Sequence, residues 1–209
     1  MEKSIRTVFA PHESEKIIEK SRFITYSAHV ESEEEARGFV AKIRSQHSLA
    51  THVCYAFISD KTGNLQRFSD DGEPQGTAGM PVLDVIRKSG VDDATVVVTR
   101  YFGGILLGAG GLVRAYAAAA KMALDAAGIV SYESYTELSL TCSYSDHQKL
   151  SAELPKFGAI LDDTIYADNV TLKFAVKDEV ADAVMGKIRE MSGGKLLPQI
   201  LGHRFDYQP

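Results

Sequence analysis

A chain of 209 residues with 44% apolar side chains is long enough to bury one large core or two small ones, as an ordinary globular protein does. Its formal charge of -5 argues against a general polyanion binder, which needs a basic balance. Two cysteines, Cys54 and Cys142, with no CxxC pair and no histidine at zinc-ligand spacing, exclude a disulfide scaffold and a zinc module and read as reduced core thiols.

The opening MEKSIRTVFAPHESEK has no apolar signal core, and the longest uncharged run, Tyr101 to Val113, is too short and glycine-rich to span a bilayer, so a cytoplasmic protein is expected. Residues 4–9 and 16–30 read as extended, separated by a turn at Pro11-His12-Glu13-Ser14. Ser32 with Glu35 makes a capping box for a helix whose apolar face is Ala36, Phe39, Val40 and Ile43. Gly38 in that helix suggests close packing against a neighbour. His52 to Ser59 is a central strand, turned by Gly63-Asn64 into a partner at Leu65 to Ser69. From about Thr77 a helix buries Val82, Leu83 and Ile86, with Pro81 tolerable only in its first turn. Thr95 to Thr99 is a β-branched run suited to burial on both faces. It leads into a glycine-rich loop and an alanine-rich helix that starts at about Gly110 and ends at Gly128.

Composition shifts near residues 130–135, with 12 glycines before the shift and 5 after it. Leu138, Leu140 and Cys142 alternate on a strand, and Asp146 caps a helix ended by Pro155 and Gly158. Ile160 to Ala167 and Val170 to Val176 form a hairpin about Asp168-Asn169. Asp178 caps a helix stopped by Gly193-Gly194, and Leu196 to Phe205 is the last strand. The order β-α-β-β-α-β is the ferredoxin-like plan. The fold class is therefore α+β, in two domains, 1–132 and 133–209.

Between Asp93 and Asp125 the sequence holds Arg100, Arg114 and Lys121 and no carboxylate, a basic island in an acidic protein. Gly103, Gly104, Gly108, Gly110 and Gly111 allow backbone N–H groups to converge on an anion at the positive end of a helix. Neither the Walker pattern nor the dinucleotide fingerprint is present, because Gly110-Gly111 is followed by Leu112-Val113. Tyr101 beside Arg100 is suited to stacking on an unpaired base. Asp70, Asp71 and Glu73 form the one dense carboxylate cluster on a loop, suited to a magnesium ion or acid/base chemistry but without a partner whose placement the sequence fixes, and otherwise a solvated turn or a docking face for a partner. His52 and Cys54 face one side of a strand, but no third residue orients them, so no catalytic group is assigned, and no metal or cofactor is expected.

The blocks THVCYAFISD, RFSDDGEPQGTAGMPVLDVI and VVVTRYFGGILLGAGGLVRAYAAAA resemble the signature of the IMPACT family in its bacterial YigZ-like form, over about residues 15–128. Thr51 stands where many members have a second histidine before His52. The resemblance implies a first domain with the βαβ fold of elongation factor G domain IV and a ribosomal protein, including a left-handed crossover. The second domain would resemble domain V of that factor. It further implies work near ribosomes and structured RNA. Eukaryotic members regulate a translation-controlling kinase by competing for its activator protein. The reading is a non-enzymatic RNA- or ribosome-associated protein that modulates translation, with Arg100 and Arg114 on phosphates and Tyr101 stacking. Its rivals are a protein-binding regulator using the acidic or the glycine-rich loop, and a small-molecule kinase.

Overall fold

The computed structural model describes residues 4–59 and 64–207. They fall into two compact units, Ile5–Ser131 and, together with Ser4, the chain from Tyr132 onward.

The first unit contains β1 (Ile5–Val8), β2 (His12–Ile18), β3 (Ser21–His29), α1 (Glu33–Gln46), β4 (His52–Ser59), β5 (Leu65–Ser69), α2 (Gly79–Lys88), β6 (Ala94–Tyr101) and α3 (Gly108–Ala127). Its sheet has the order β2-β3-β6-β4-β5, with every neighbouring pair antiparallel. Alternation along β6 explains why nearly the whole strand is buried. Val96 and Val98 pack with α2 and α3 through Val82, Leu83, Tyr116 and Ala119, whereas Val97 packs with Val40 and Ile43 of α1. Helices on both faces thus require apolar residues at Val96, Val97 and Val98 in the middle of the strand, while the buried polar Thr95, Thr99 and Arg100 lie toward its ends.

Ser32 caps α1 as its sequence requires, accepting the Glu35 N–H, while the Glu35 carboxylate reaches back to the Glu31 N–H. Two local readings need correction. The turn does not lie at Pro11–Ser14, since His12 to Ser14 are in β2; it lies at Glu19-Lys20, whose φ values of 45° and 62° make the two-residue hairpin turn between β2 and β3. Such turns are normally signalled by Asn or Gly, so nothing in the residue types marked this one. Gly38 does not pack closely either: it is exposed, and a Cβ there meets nothing within 4 Å. Gly38→Ala is therefore expected to stabilise α1 by about 0.5–1 kcal/mol through chain entropy and helix propensity, measured as a higher urea midpoint. The expected Gly63-Asn64 turn falls partly outside the described residues.

The second unit holds β7 (Ile129–Cys142) from Tyr132 onward, α4 (Tyr144–Glu153), a 3-10 turn (Leu154–Phe157), β8 (Ile160–Tyr166), β9 (Val170–Lys177), α5 (Asp178–Met191) and β10 (Gln199–Asp206). β9 pairs with β8 and β7, and β10 pairs with β7, all antiparallel. Leu138, Leu140, Leu172, Phe174 and Val176 meet Leu150, Leu154, Val184 and Ile188 in one core. Both helices therefore cover the same face of the sheet. The caps differ from the sequence reading. Ser143, not Asp146, caps α4, accepting the Asp146 N–H, and α5 begins after Lys177. The Asp178 carboxylate instead accepts the Ser134 and Thr136 hydroxyls.

Candidate functional site

The three sequence blocks meet where the end of β6, the start of β4 and the loop after β5 come together against α3. Arg100, next to last in β6, is 4% exposed. Its Nη1 donates to Glu73 Oε1 at 2.7 Å and its Nη2 to Ser21 Oγ at 3.1 Å, and the guanidinium lies over the rings of Phe23 and Phe102. The Tyr116 hydroxyl, from the buried face of α3, donates to the same Glu73 oxygen at 2.8 Å. Arg100 is thus withdrawn from solvent, and its expected role as a phosphate contact is corrected: a buried guanidinium is retained because a buried carboxylate neutralises it.

The acidic cluster is neither a solvated turn nor a free docking face. Asp70 accepts the N–H groups of Gly76, Ala78 and Gly79, and so supplies the cap that Ala78 cannot give α2. Asp71 accepts the Val53 N–H and pairs with Arg44, and Glu73 is held by Arg100 and Tyr116. With their oxygens bound inside the unit, Asp70, Asp71 and Glu73 fix the loop against β4 and α2.

His52 and Cys54 do lie on this side of β4. The imidazole Nδ1 is 2.8 Å from the Asp71 carbonyl, and the Cys54 thiol donates to the Asp70 carbonyl at 3.0 Å, with Tyr116 Oη 3.4 Å from its sulfur. Burial pushes the Cys54 thiol up to about 12, and burial likewise raises the Tyr116 phenol. A thiolate at Cys54 is strongly disfavoured, so the pair has no nucleophile at neutral pH. Iodoacetamide at pH 8 is expected to leave Cys54 unmodified in the folded chain and to alkylate it fully in urea, as read by intact mass.

Tyr101 is half-buried and not presented for stacking. Its hydroxyl is 2.8 Å from His47 Nδ1, His47 Nε2 is 2.7 Å from the Tyr26 hydroxyl, and Arg22 lies over its ring. His47, Tyr26, Ser21 and Tyr116 were not legible as site residues. Tyr116 carried the one available signal, a large polar residue on the buried side of an alanine-rich helix.

Beyond Tyr101 the chain emerges. Gly103 sits against the β2–β3 turn so closely that a Cβ would overlap the Lys20 carbonyl, and Gly104 and Gly108 have φ values of 85° and 68°. Gly104, Gly108 and Gly110 are exposed, and half-buried Gly111 packs against Leu107. The helix α3 starts at Gly108 rather than Gly110, without a side-chain cap and without an acidic residue in its first turn. Its first N–H groups therefore keep the positive end of the dipole uncompensated. Arg114 is exposed, with no ion pair among the described residues. Phe102, Ile105, Leu106 and Val113 on the same segment are exposed, Leu106 to 86%, and Ile105 and Leu106 line one cleft with Arg114. Between this loop and the β2–β3 turn lies an open cleft of about 450 Å³, lined by Ile18, Glu19, Ile105, Leu107 and Arg114 among others. Among the described residues no cluster of three or more His, Cys, Asp or Glu could hold a metal ion.

Residues 19–124 match the family described as Impact N-terminal domain, and residues 140–195 match a domain of unknown function, DUF1949. The chain is 39% identical over 189 residues to the IMPACT family member YvyE of Bacillus subtilis, covering 90% of this chain and 87% of that one. The chain belongs to the IMPACT family. Another IMPACT family member, YigZ of Escherichia coli, is 39% identical over 181 residues, covering 86% and 89% of the two chains. Protein IMPACT of Mus musculus is 37% identical over 94 residues, which is 43% of this chain and 29% of the mouse protein. A solved structure titled as that of a hypothetical protein is 36% identical, covers 97% of this chain and 98% of its own, and superposes with a TM-score of 0.61. The IMPACT match with the mouse protein is confined to less than half of this chain. In the structure, the three IMPACT signature blocks form a single buried network beneath the emergent loop. No helix among the described residues is long and apolar enough to cross a membrane.

Proposed function

We propose that this IMPACT family member is a protein-binding regulator that docks a partner on the glycine-rich loop and the first turn of α3. The occupant is a polypeptide segment presenting an apolar side chain next to a carboxylate. The observation that carries this reading is the juxtaposition of exposed Leu106 and Ile105 with an uncapped helix N-terminus and with Arg114, which has no ion pair among the described residues. Apolar anchors rimmed by one charge suit a protein segment. An RNA or ribosomal RNA contact has less to rest on. With Arg100 in a buried ion pair and Lys121 paired with Asp125, Arg114 is the one cation of the expected surface without an ion pair among the described residues, which corresponds to a salt slope of about -0.7 for a single strand. On the sheet face of the second unit opposite its helices, Arg204 is surrounded by Asp162, Glu137 and Asp206, which raise its pKa, and the exposed Lys173 stands opposite Asp163, so that face offers no cluster of free cations among the described residues.

A photo-crosslinking residue placed at Leu106 of the full chain, expressed in a bacterial host, tests this. The expected adducts are proteins that survive nuclease digestion, and the identified partner, purified, binds the Leu106→Ser variant about 10–100-fold more weakly, the loss of one buried leucine. Adducts that disappear with ribonuclease, or a partner indifferent to Leu106→Ser and Arg114→Ala, overturn the proposal.

A further inference from the structure

A second docking feature lies in the unit from Tyr132 onward and is independent of the loop just described. β8 ends the order of its sheet: among the described strands it pairs with β9 alone, leaving one edge of backbone N–H and C=O groups open. Such an edge accepts an added strand unless it is blocked. This one carries no proline; a register shift interrupts its pairing between Leu161 and Asp163, but Asp163 to Tyr166 pair regularly with β9, and its side chains include Leu161 and Tyr166, 58% and 62% exposed.

The register shows which way these residues face. Leu161 is opposite Phe174, Thr164 opposite Leu172 and Tyr166 opposite Val170, and those three partners are core residues on the helix side. The edge of β8 and the neighbouring α4 therefore form the two walls of a groove. At one end Tyr166 stacks on Tyr144 and meets the His147 ring edge-on, while the Tyr144 hydroxyl donates to the Ala167 carbonyl. At the other end a cavity of about 80 Å³ is lined by Ser151, Leu154, Leu161, Leu172 and Phe174. That volume accommodates a small aliphatic side chain, being about that of two or three waters in the liquid.

We infer that this groove receives an extended peptide segment of a partner, added as a strand to β8, with aliphatic side chains toward α4 and a basic side chain beside Asp163. Main-chain hydrogen bonds to a sheet edge supply affinity in this mode, and pockets for alternate side chains supply selectivity. Charge selects the occupant. Asp162 is held by a bidentate contact from Arg204 at 2.7 and 2.8 Å, whereas Asp163 faces Lys173 across the strands without an ion pair among the described residues. A second copy of the chain is a poor guest, because antiparallel self-pairing about the middle of β8 places Asp163 opposite Asp163. Like charges directly opposed are destabilising.

The test uses the full chain, labelled with ¹⁵N, and two blocked peptides, Ac-TVKVKVT-NH2 and Ac-TVEVEVT-NH2. The lysine peptide is expected to shift resonances confined to Ile160–Tyr166 and the facing residues of α4, and to slow exchange of alternate β8 amides. It should bind about two- to fivefold more tightly than the glutamate peptide, the range of one cross-strand charge pair. The surface substitution Asp163→Lys, remote from the core, should reverse that preference. Failure of either peptide to perturb β8, equal binding of both, or concentration-dependent broadening confined to β8 that marks self-association overturns the inference.

Discussion

Arg100→Ala is expected to lower the unfolding free energy of the unit Ile5–Ser131 by about 3–5 kcal/mol, whereas Arg114→Ala changes it by less than about 0.5 kcal/mol. The two arginines look alike in the sequence, but Arg100 and Glu73 have side chains 5% and 4% exposed, while Arg114 is exposed. Removing Arg100 strands the Glu73 carboxylate, 4% exposed, in a low-dielectric site. Glu73 would also lose one of the two donors that satisfy its Oε1. Urea denaturation followed by circular dichroism measures this as a lower midpoint at unchanged slope. A double variant, Arg100→Met with Glu73→Gln, should recover much of the loss, since an uncharged pair needs no neutralising partner. An Arg100→Ala protein as stable as Arg114→Ala would mean that the guanidinium is not in this ion pair.

Gly103→Ala is expected to be the most disruptive single methyl addition in the emergent loop, costing about 1–3 kcal/mol as an overpacking change. The added Cβ would overlap the backbone carbonyl of Lys20, and a backbone atom cannot swing away as the end of a side chain does. The β2–β3 turn is a poor place to absorb the displacement, because Glu19 and Lys20 already occupy the left-handed region without being glycine. Amide shifts at Lys20, Ser21 and Phe102 should move along with the fall in midpoint. The same methyl at Gly38, facing open solvent, should have the opposite sign. This pair of measurements separates glycine required by close approach from glycine merely tolerated.

The network also accounts for how a loop with so much apolar surface is held out from the domain. Asp70 anchors the start of α2, Asp71 ties the loop to β4 and Arg44, and Glu73 joins the end of β6 to α3. The chain therefore leaves Tyr101 from a fixed platform: the Phe102 N–H is held by Thr51 Oγ1 and the Gly103 N–H lies 3.4 Å from Ser21 Oγ. A rigid base beneath an exposed tip lowers the entropy lost when a partner binds.

The periodicity of the sequence by itself determined most of the secondary structure. The alternation of Leu138, Leu140 and Cys142, the helical spacing of Ala36, Val40 and Ile43, and the capping serine at 32 all express local geometry, which neighbouring residues decide. It also determined the β-α-β-β-α-β order of the second unit, since each element is delimited by its own turn residues. What only tertiary structure decided is which charges face water. Arg100 and Arg114, or Glu73 and Glu34, have the same chemistry in a linear chain, and their burial depends on strands and helices distant in sequence. The Glu19-Lys20 turn was hidden for a related reason: its positive φ values are imposed by the pairing of β2 with β3, against the preference of the residues that occupy it.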